Sequence, residues 1–203
     1  MIAGMAAGFA LAASGPRIVS SIAADLDSDA HRELVQTVEV IRPNPYGGAQ
    51  PLHRRFVRVV DESGGRSFEQ RVSPVLDFVQ VRVVSRLPPP LRRGIWYDGS
   101  TGNGGAAPRA FGLVTWTGRG ARALWRYASS SSSLGKRYDG ASAELFDDPA
   151  RGGPGPEIKL AEGIHRAGDP ACCPYALQIS LYRLNAAGPA YQLYSRRIVR
   201  RVR

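Results

Sequence analysis

Lysine and histidine are nearly missing from this 203-residue chain, and cysteine and methionine are scarcer still or equal. Of its 27 basic residues only Lys136 and Lys159 are lysine, and the rest are arginine. The histidines are His31, His53 and His165, with no partner spacing between them. Neither G-x-S-x-G nor H-E-x-x-H occurs, so the common nucleophile and zinc-hydrolase patterns lack their residues. A non-catalytic protein is expected, with a hydrolase of unrecognised site kept as an alternative. The two cysteines, Cys172 and Cys173, are adjacent in "GDPACCPY", so no disulfide can staple distant segments. An ordinary disulfide needs more separated Cα atoms than neighbours have. The pair is a candidate vicinal disulfide, redox pair or, with His165, soft-metal site; a structural turn is the plainer reading. No apolar run is long enough to span a bilayer as a helix. Helix signals are also weak. "SDAHRELVQTV" offers Ser28 as a cap, but it leads into alternating Val and Thr, which favours a strand.

Glycine (23) and proline (15) are plentiful, which favours short elements joined by turns. Three segments place a Gly-containing turn between alternating runs: 54–72, 109–127 and 176–195. Each reads as a β-hairpin. Each is preceded by further strand-like runs: "ELVQTVEVI" (33–41), then "DFVQVRVVSRL" (77–87) with "RGIWYDG", then "SAELF" with "PEIKLAEG". "PPP" (88–90) excludes a central strand or helix there. The expected fold class is all-β: antiparallel hairpins in about three degenerate repeats (19–73, 75–128 and 138–195), in a small propeller-like or sandwich arrangement. One β-rich domain, 16–195, would lie between a candidate signal segment, 1–15, and a basic tail, 196–203. Trp96, Trp116 and Trp125 sit in strand-like runs and are expected in the core rather than on a sugar-binding platform. The glycine-rich "YDGSTGNGGAAP" (97–108) lacks the lysine and helix of a phosphate loop, and reads as a long loop.

The net charge is +10 and the pI near 10.3. A basic balance points to a polyanion, or to an arginine-biased composition with no partner at all. The tail "RRIVRRVR" concentrates the charge in Arg196, Arg197, Arg200, Arg201 and Arg203. These are candidates for anionic polysaccharide or lipid at a cell envelope. No aromatics interleave with them, and no specific nucleic-acid motif occurs. At the other end, "MIAGMAAGFALAASGP" has the length and small-residue character of a secretory h-region, with "ALA" (10–12) as an A-x-A site. It lacks a charged n-region. Export is nevertheless the expected location.

Against this basic background "ADLDSDAHREL" (24–34) crowds Asp25, Asp27 and Asp29 at alternate positions, with Glu33 following. Carboxylates at positions 1, 3 and 5 of a tight loop converge on one point, as a hard cation requires. His31, at position 7, could add its backbone carbonyl, and Glu33 stands at position 9. A calcium ion would relieve the mutual repulsion of the acids. An EF-hand fits poorly, because its twelfth position needs an acid and is here Gln36; a β-type calcium loop that closes with an acid at position 9 and leads into a strand fits better. The alternative is a solvated turn whose aspartates cap backbone N–H groups. "FDDPARGGPGPEIKL" (146–160) echoes the pattern with Asp147, Asp148 and Glu157, but its spacing and prolines make it an ordinary turn.

"IAADLDSDAHRELVQTVEV" resembles the FG-GAP or VCBS type of repeat: an apolar strand, D-x-D-x-D-G-x-x-E/D, then a strand. The resemblance implies a structural Ca2+ held by Asp25, Asp27, Asp29, His31 and Glu33. It also implies an extracellular module serving in adhesion or as an accessory part of a larger protein; besides an anionic envelope polymer, another protein is the expected kind of partner. Its usual glycine at position 6 is here Ala30, where such a loop needs a positive φ. "HRAGDPACCPYALQISLYRL" is similar to a segment of actinobacterial envelope lipoproteins of the LppP/LprE type, which implies an envelope location; the lipobox cysteine of a lipoprotein is missing.

Overall fold

The computed structural model describes residues 15–44, 50–62, 68–101, 108–118, 120–129, 141–147, 155–166, 174–185, 188 and 190–200. Among them the chain is all-β. The first repeat contributes β1 (Arg17–Ala24), β2 (Glu33–Arg42), β3 (Leu52–Asp61) and β4 (Phe68–Arg71). The second contributes β5 (Phe78–Val84), β6 (Gly94–Ser100), β7 (Arg109–Trp116) and β8 (Ala121–Ala128). The third contributes β9 (Ser142–Phe146), β10 (Glu157–Ile164), β11 (Ala176–Leu184) and β12 (Tyr191–Arg200). Each set of four consecutive strands forms its own antiparallel meander, and the three sheets do not close into a barrel. The three hairpins expected from the turn chemistry are β3–β4, β7–β8 and β11–β12. The alternating run after Ser28 is strand β2, as the β-branched residues require.

The second sheet lies between the other two, and its side chains show why. On β6, Ile95 and Tyr97 enter one buried cluster with Val35, Val57 and Val59 of the first sheet. Trp96, between them, enters a second cluster with Ile158 and Leu160 of the third sheet. β7 divides in the same way: Ala110, Val114 and Trp116 on one side, Phe111 and Leu113 on the other. Side chains alternate across a strand, so a sheet covered on both faces needs apolar residues at nearly every position. β7 is buried throughout after its first residue, whereas β1 and β12 are mostly exposed. Gly112 is needed because the ring of Tyr97, its cross-strand partner, occupies the space a Cβ would take.

All three tryptophans are buried. Trp96 and Trp125 stack with centroids 5.8 Å apart and planes 4° from parallel, and Tyr182 of β11 meets Trp125 edge-on at 5.5 Å. This aromatic column joins the second sheet to the third. Trp116 packs near Phe68 of β4 at 5.7 Å, on the first-sheet side. The proline run forms a turn between β5 and β6, in which the Leu91 N–H donates to the Pro88 carbonyl.

One boundary differs from the sequence expectation. The stretch 196–203 does not begin as a free tail, because β12 pairs with β11 as far as Arg200 opposite Ala176. The ladder gives the backbone of residues 196–200 hydrogen-bond partners that a tail would seek in water.

Candidate cation site in the β1–β2 loop

The acidic stretch connects β1 to β2. Leu26 turns inward and is fully buried in the cluster between the first two sheets. Asp25 and Asp27 are half-buried and Asp29 is exposed, and each offers an oxygen within 4.8 Å of those offered by the others. Their carboxylates also shape the loop. Asp25 Oδ1 accepts from the Ser28 N–H at 2.6 Å, Asp27 Oδ1 from Asp29 N–H at 3.3 Å, and Asp29 Oδ1 from His31 N–H at 2.8 Å. Short side chains closing such turns on their own backbone are what Asp does well. Ser28 and Ala30 take φ of 68° and 73°. Ala30 thus adopts the left-handed conformation that the resemblance reserves for glycine, at a cost of about 1–2 kcal/mol for a residue with a Cβ.

Glu33 is the first residue of β2 and points towards the second sheet. It is 0% exposed. Its Oε2 accepts from the Leu26 N–H at 2.5 Å, but its Oε1 makes no hydrogen bond. Burial pushes the Glu33 carboxyl above the usual carboxylate range, and the charges of Asp27 and Asp61 push it further. Asp27 is raised as well, by burial first and then by Asp29, Asp61 and Asp25. The β2–β3 register pairs Leu34 with Val60, which brings the strand ends carrying Glu33 and Asp61 together. Asp61 is buried too.

Glu39 shows the other way to bury an acid. It lies six residues along the same strand, on the same face, and is 1% exposed. Arg17 reaches it at 2.7 Å, Arg55 at 2.9 Å, and His53 Nδ1 at 3.4 Å. Burial raises its carboxyl, but the bonds to Arg55 and Arg17 outweigh burial and hold it below the usual range. Among the described residues, no lysine or arginine forms an ion pair with Asp25, Asp27, Asp29 or Glu33. A buried carboxylate without a counter-charge is costly. The three aspartates fit a hard cation, each giving one oxygen, with carbonyl or water oxygens to complete the shell; Glu33, the fourth expected acid, is buried nearby but does not join their cluster. The His31 side chain is exposed and its N–H serves Asp29. Its carbonyl remains the candidate ligand.

No protein-family model, curated protein or solved structure matches the chain. The likenesses of the acidic loop and of the cysteine-pair segment therefore rest on the quoted residues alone.

The other candidates fall elsewhere. Cys172, Cys173, Arg201, Arg203 and Asp148 lie outside the described residues. His165 is buried and its Nε2 has no hydrogen-bond partner. Arg196, Arg197 and Arg200 are exposed on β12, the edge strand of the third sheet. Alternation puts Arg196 and Arg200 on one face and Arg197 on the other, so these three do not share a basic face. Asp147 and Glu157 do not echo the acidic loop: Asp147 is exposed, while Glu157 is buried and accepts from the Tyr194 hydroxyl at 2.5 Å. No helix among the described residues is long and apolar enough to cross a membrane. A groove of about 590 Å³ is lined by residues of β1, β5 and β9, each an edge strand of its sheet. Its acids are paired, Asp98 with Arg109 at 2.6 Å and Glu144 with Lys159 at 2.7 Å. Asp61, Arg93 and Gly118 belong to the surroundings of the acidic loop, and no sequence pattern pointed to them.

Proposed function

We propose that this is a non-catalytic β-repeat protein, exported or held at the cell envelope, whose first sheet carries one structural Ca2+. Asp25, Asp27, Asp29 and Glu33 would hold the ion, with the His31 carbonyl as a further ligand. When bound, the ion supplies positive charge and a fixed set of coordination directions. The chain's own residues do the rest. The aspartates turn the backbone by accepting from its N–H groups, and Glu33 would approach the ion from the start of β2. The observation that carries the reading is the convergence of Asp25, Asp27 and Asp29, whose offered oxygens all lie within 4.8 Å of one another; Glu33, buried with Oε1 unpartnered and, among the described residues, with no lysine or arginine paired to it, supports it. Export is supported by the apolar small-residue stretch at 1–15.

The test is calorimetric titration of the metal-stripped protein with calcium, and with magnesium as a competitor. Saturable binding of one calcium per chain, lost in Asp27→Asn, is expected. Heat no larger than dilution would overturn the reading.

A further inference from the structure

The acidic loop belongs to the first sheet but does not rest on it alone. The Asp27 Oδ2 lies against Gly118, in the turn between β7 and β8 of the second sheet; a Cβ at Gly118 would stand 2.8 Å from it. Gly118 has a φ of 70°, and its missing side chain is what lets the carboxylate approach. Arg93, just ahead of β6, donates from Nη1 to the Asp25 carbonyl at 2.5 Å, and its own carbonyl accepts from the Thr115 hydroxyl at 3.3 Å. A third tie runs beside these. Gln70 of β4 accepts from the Ala121 N–H of β8 at 2.6 Å. Leu26, between Asp25 and Asp27, is buried in the cluster that contains Trp116 of β7. The loop is therefore held against the second sheet at Asp25, Leu26 and Asp27.

We infer that cation occupancy of the β1–β2 loop sets how firmly the first sheet is docked on the second, the loop acting as a clasp between them. This rests on the proposed cation reading and adds a consequence to it. An ion that draws the aspartates together fixes Asp25 and Asp27, and these are the residues that touch Arg93 and Gly118. The junction of the second and third sheets has no such dependence. It is made by the Trp96, Trp125 and Tyr182 rings, with the Tyr127 hydroxyl donating to Glu162 at 2.9 Å.

Hydrogen exchange of the full chain, with saturating calcium against excess EDTA, separates the possibilities. Calcium should slow exchange at least about tenfold in β1–β4 and in the β7–β8 turn, while β9–β12 is unchanged. Gly118→Ala and Arg93→Met supply no ligand and remove none; each should weaken calcium binding about tenfold if the second sheet holds the loop in place. Gly188→Ala, which enters open space, is the control. Binding by calorimetry with slowed exchange confined to residues 25–33, or spread evenly over all three sheets, overturns the clasp and leaves the ion. Wild-type affinity in both Gly118→Ala and Arg93→Met also overturns it. Failure to bind calcium at all overturns the cation reading itself.

Discussion

Glu33→Gln isolates the part of the site that an ordinary acidic turn would not need. The substitution keeps the size of the side chain and leaves an amide oxygen to accept from the Leu26 N–H, the bond that Oε2 makes now. It removes the charge that burial and the neighbouring acids disfavour. A ligand that binds only the folded form stabilises it by about 2.7 kcal/mol at a concentration 100 times its Kd. For a chain of 203 residues each kcal/mol is about 2–4 °C of Tm, so calcium should raise the wild-type midpoint by about 5–10 °C. Losing a charged ligand that weakens binding tenfold leaves about 1.4 kcal/mol at the same concentration, and roughly half that rise. In EDTA the order should reverse or vanish, because the variant no longer buries an unpaired charge. Thermal melts followed by near-ultraviolet circular dichroism, with calcium and with EDTA, give all four midpoints. Equal calcium-induced shifts in both proteins, together with a less stable variant in EDTA, would refute the reasoning: Glu33 would then be a structural hydrogen-bond acceptor and nothing more.

Ala30→Gly should stabilise the protein by about 1 kcal/mol and tighten calcium binding, since glycine takes a φ of 73° without the cost that a Cβ imposes; an unchanged urea midpoint would count against strain at this position. Arg55→Met should cost about 2 kcal/mol, less than breaking a fully buried pair because Arg17 still reaches Glu39. The Glu39 carboxyl sits below its ordinary range, so its contribution is complete above that range and is lost as the pH falls through the folded-state value. Urea midpoints from neutral pH down to about pH 3 should therefore fall less steeply in Arg55→Met than in the wild type; parallel slopes would remove Arg55 from the account. Gly112→Ala should lower stability by about 1–3 kcal/mol by forcing the Tyr97 ring aside, and a neutral result would mean that the ring can move freely.

The hairpins were legible because their signals are local. A two-residue period and a glycine-bearing turn are read from a dozen residues, and β3–β4, β7–β8 and β11–β12 all carry them. β1 was legible only through the loop it leads into, because "RIVSSIAA" is short and mostly exposed. The extent of β12 was hidden by its arginines, which read as a solvated tail although their backbone completes a ladder. The four acids of the loop were equally plain, since their spacing lies within nine residues. Their surroundings were not: Asp61, Arg93 and Gly118 are 36, 68 and 93 positions from Asp25, and each is an unremarkable residue where it stands in the chain.

The sequence by itself determined that the chain folds as three antiparallel four-stranded repeats and that acidic oxygens gather at the entry to β2, because alternation, turn chemistry and charge spacing act over short stretches. Only the tertiary structure decided that the second sheet is buried on both faces, that Glu39 is matched by arginines while Glu33 is not, and that the acidic loop is wedged against a neighbouring sheet. Those outcomes depend on which faces stack, and stacking brings together residues that no local pattern relates.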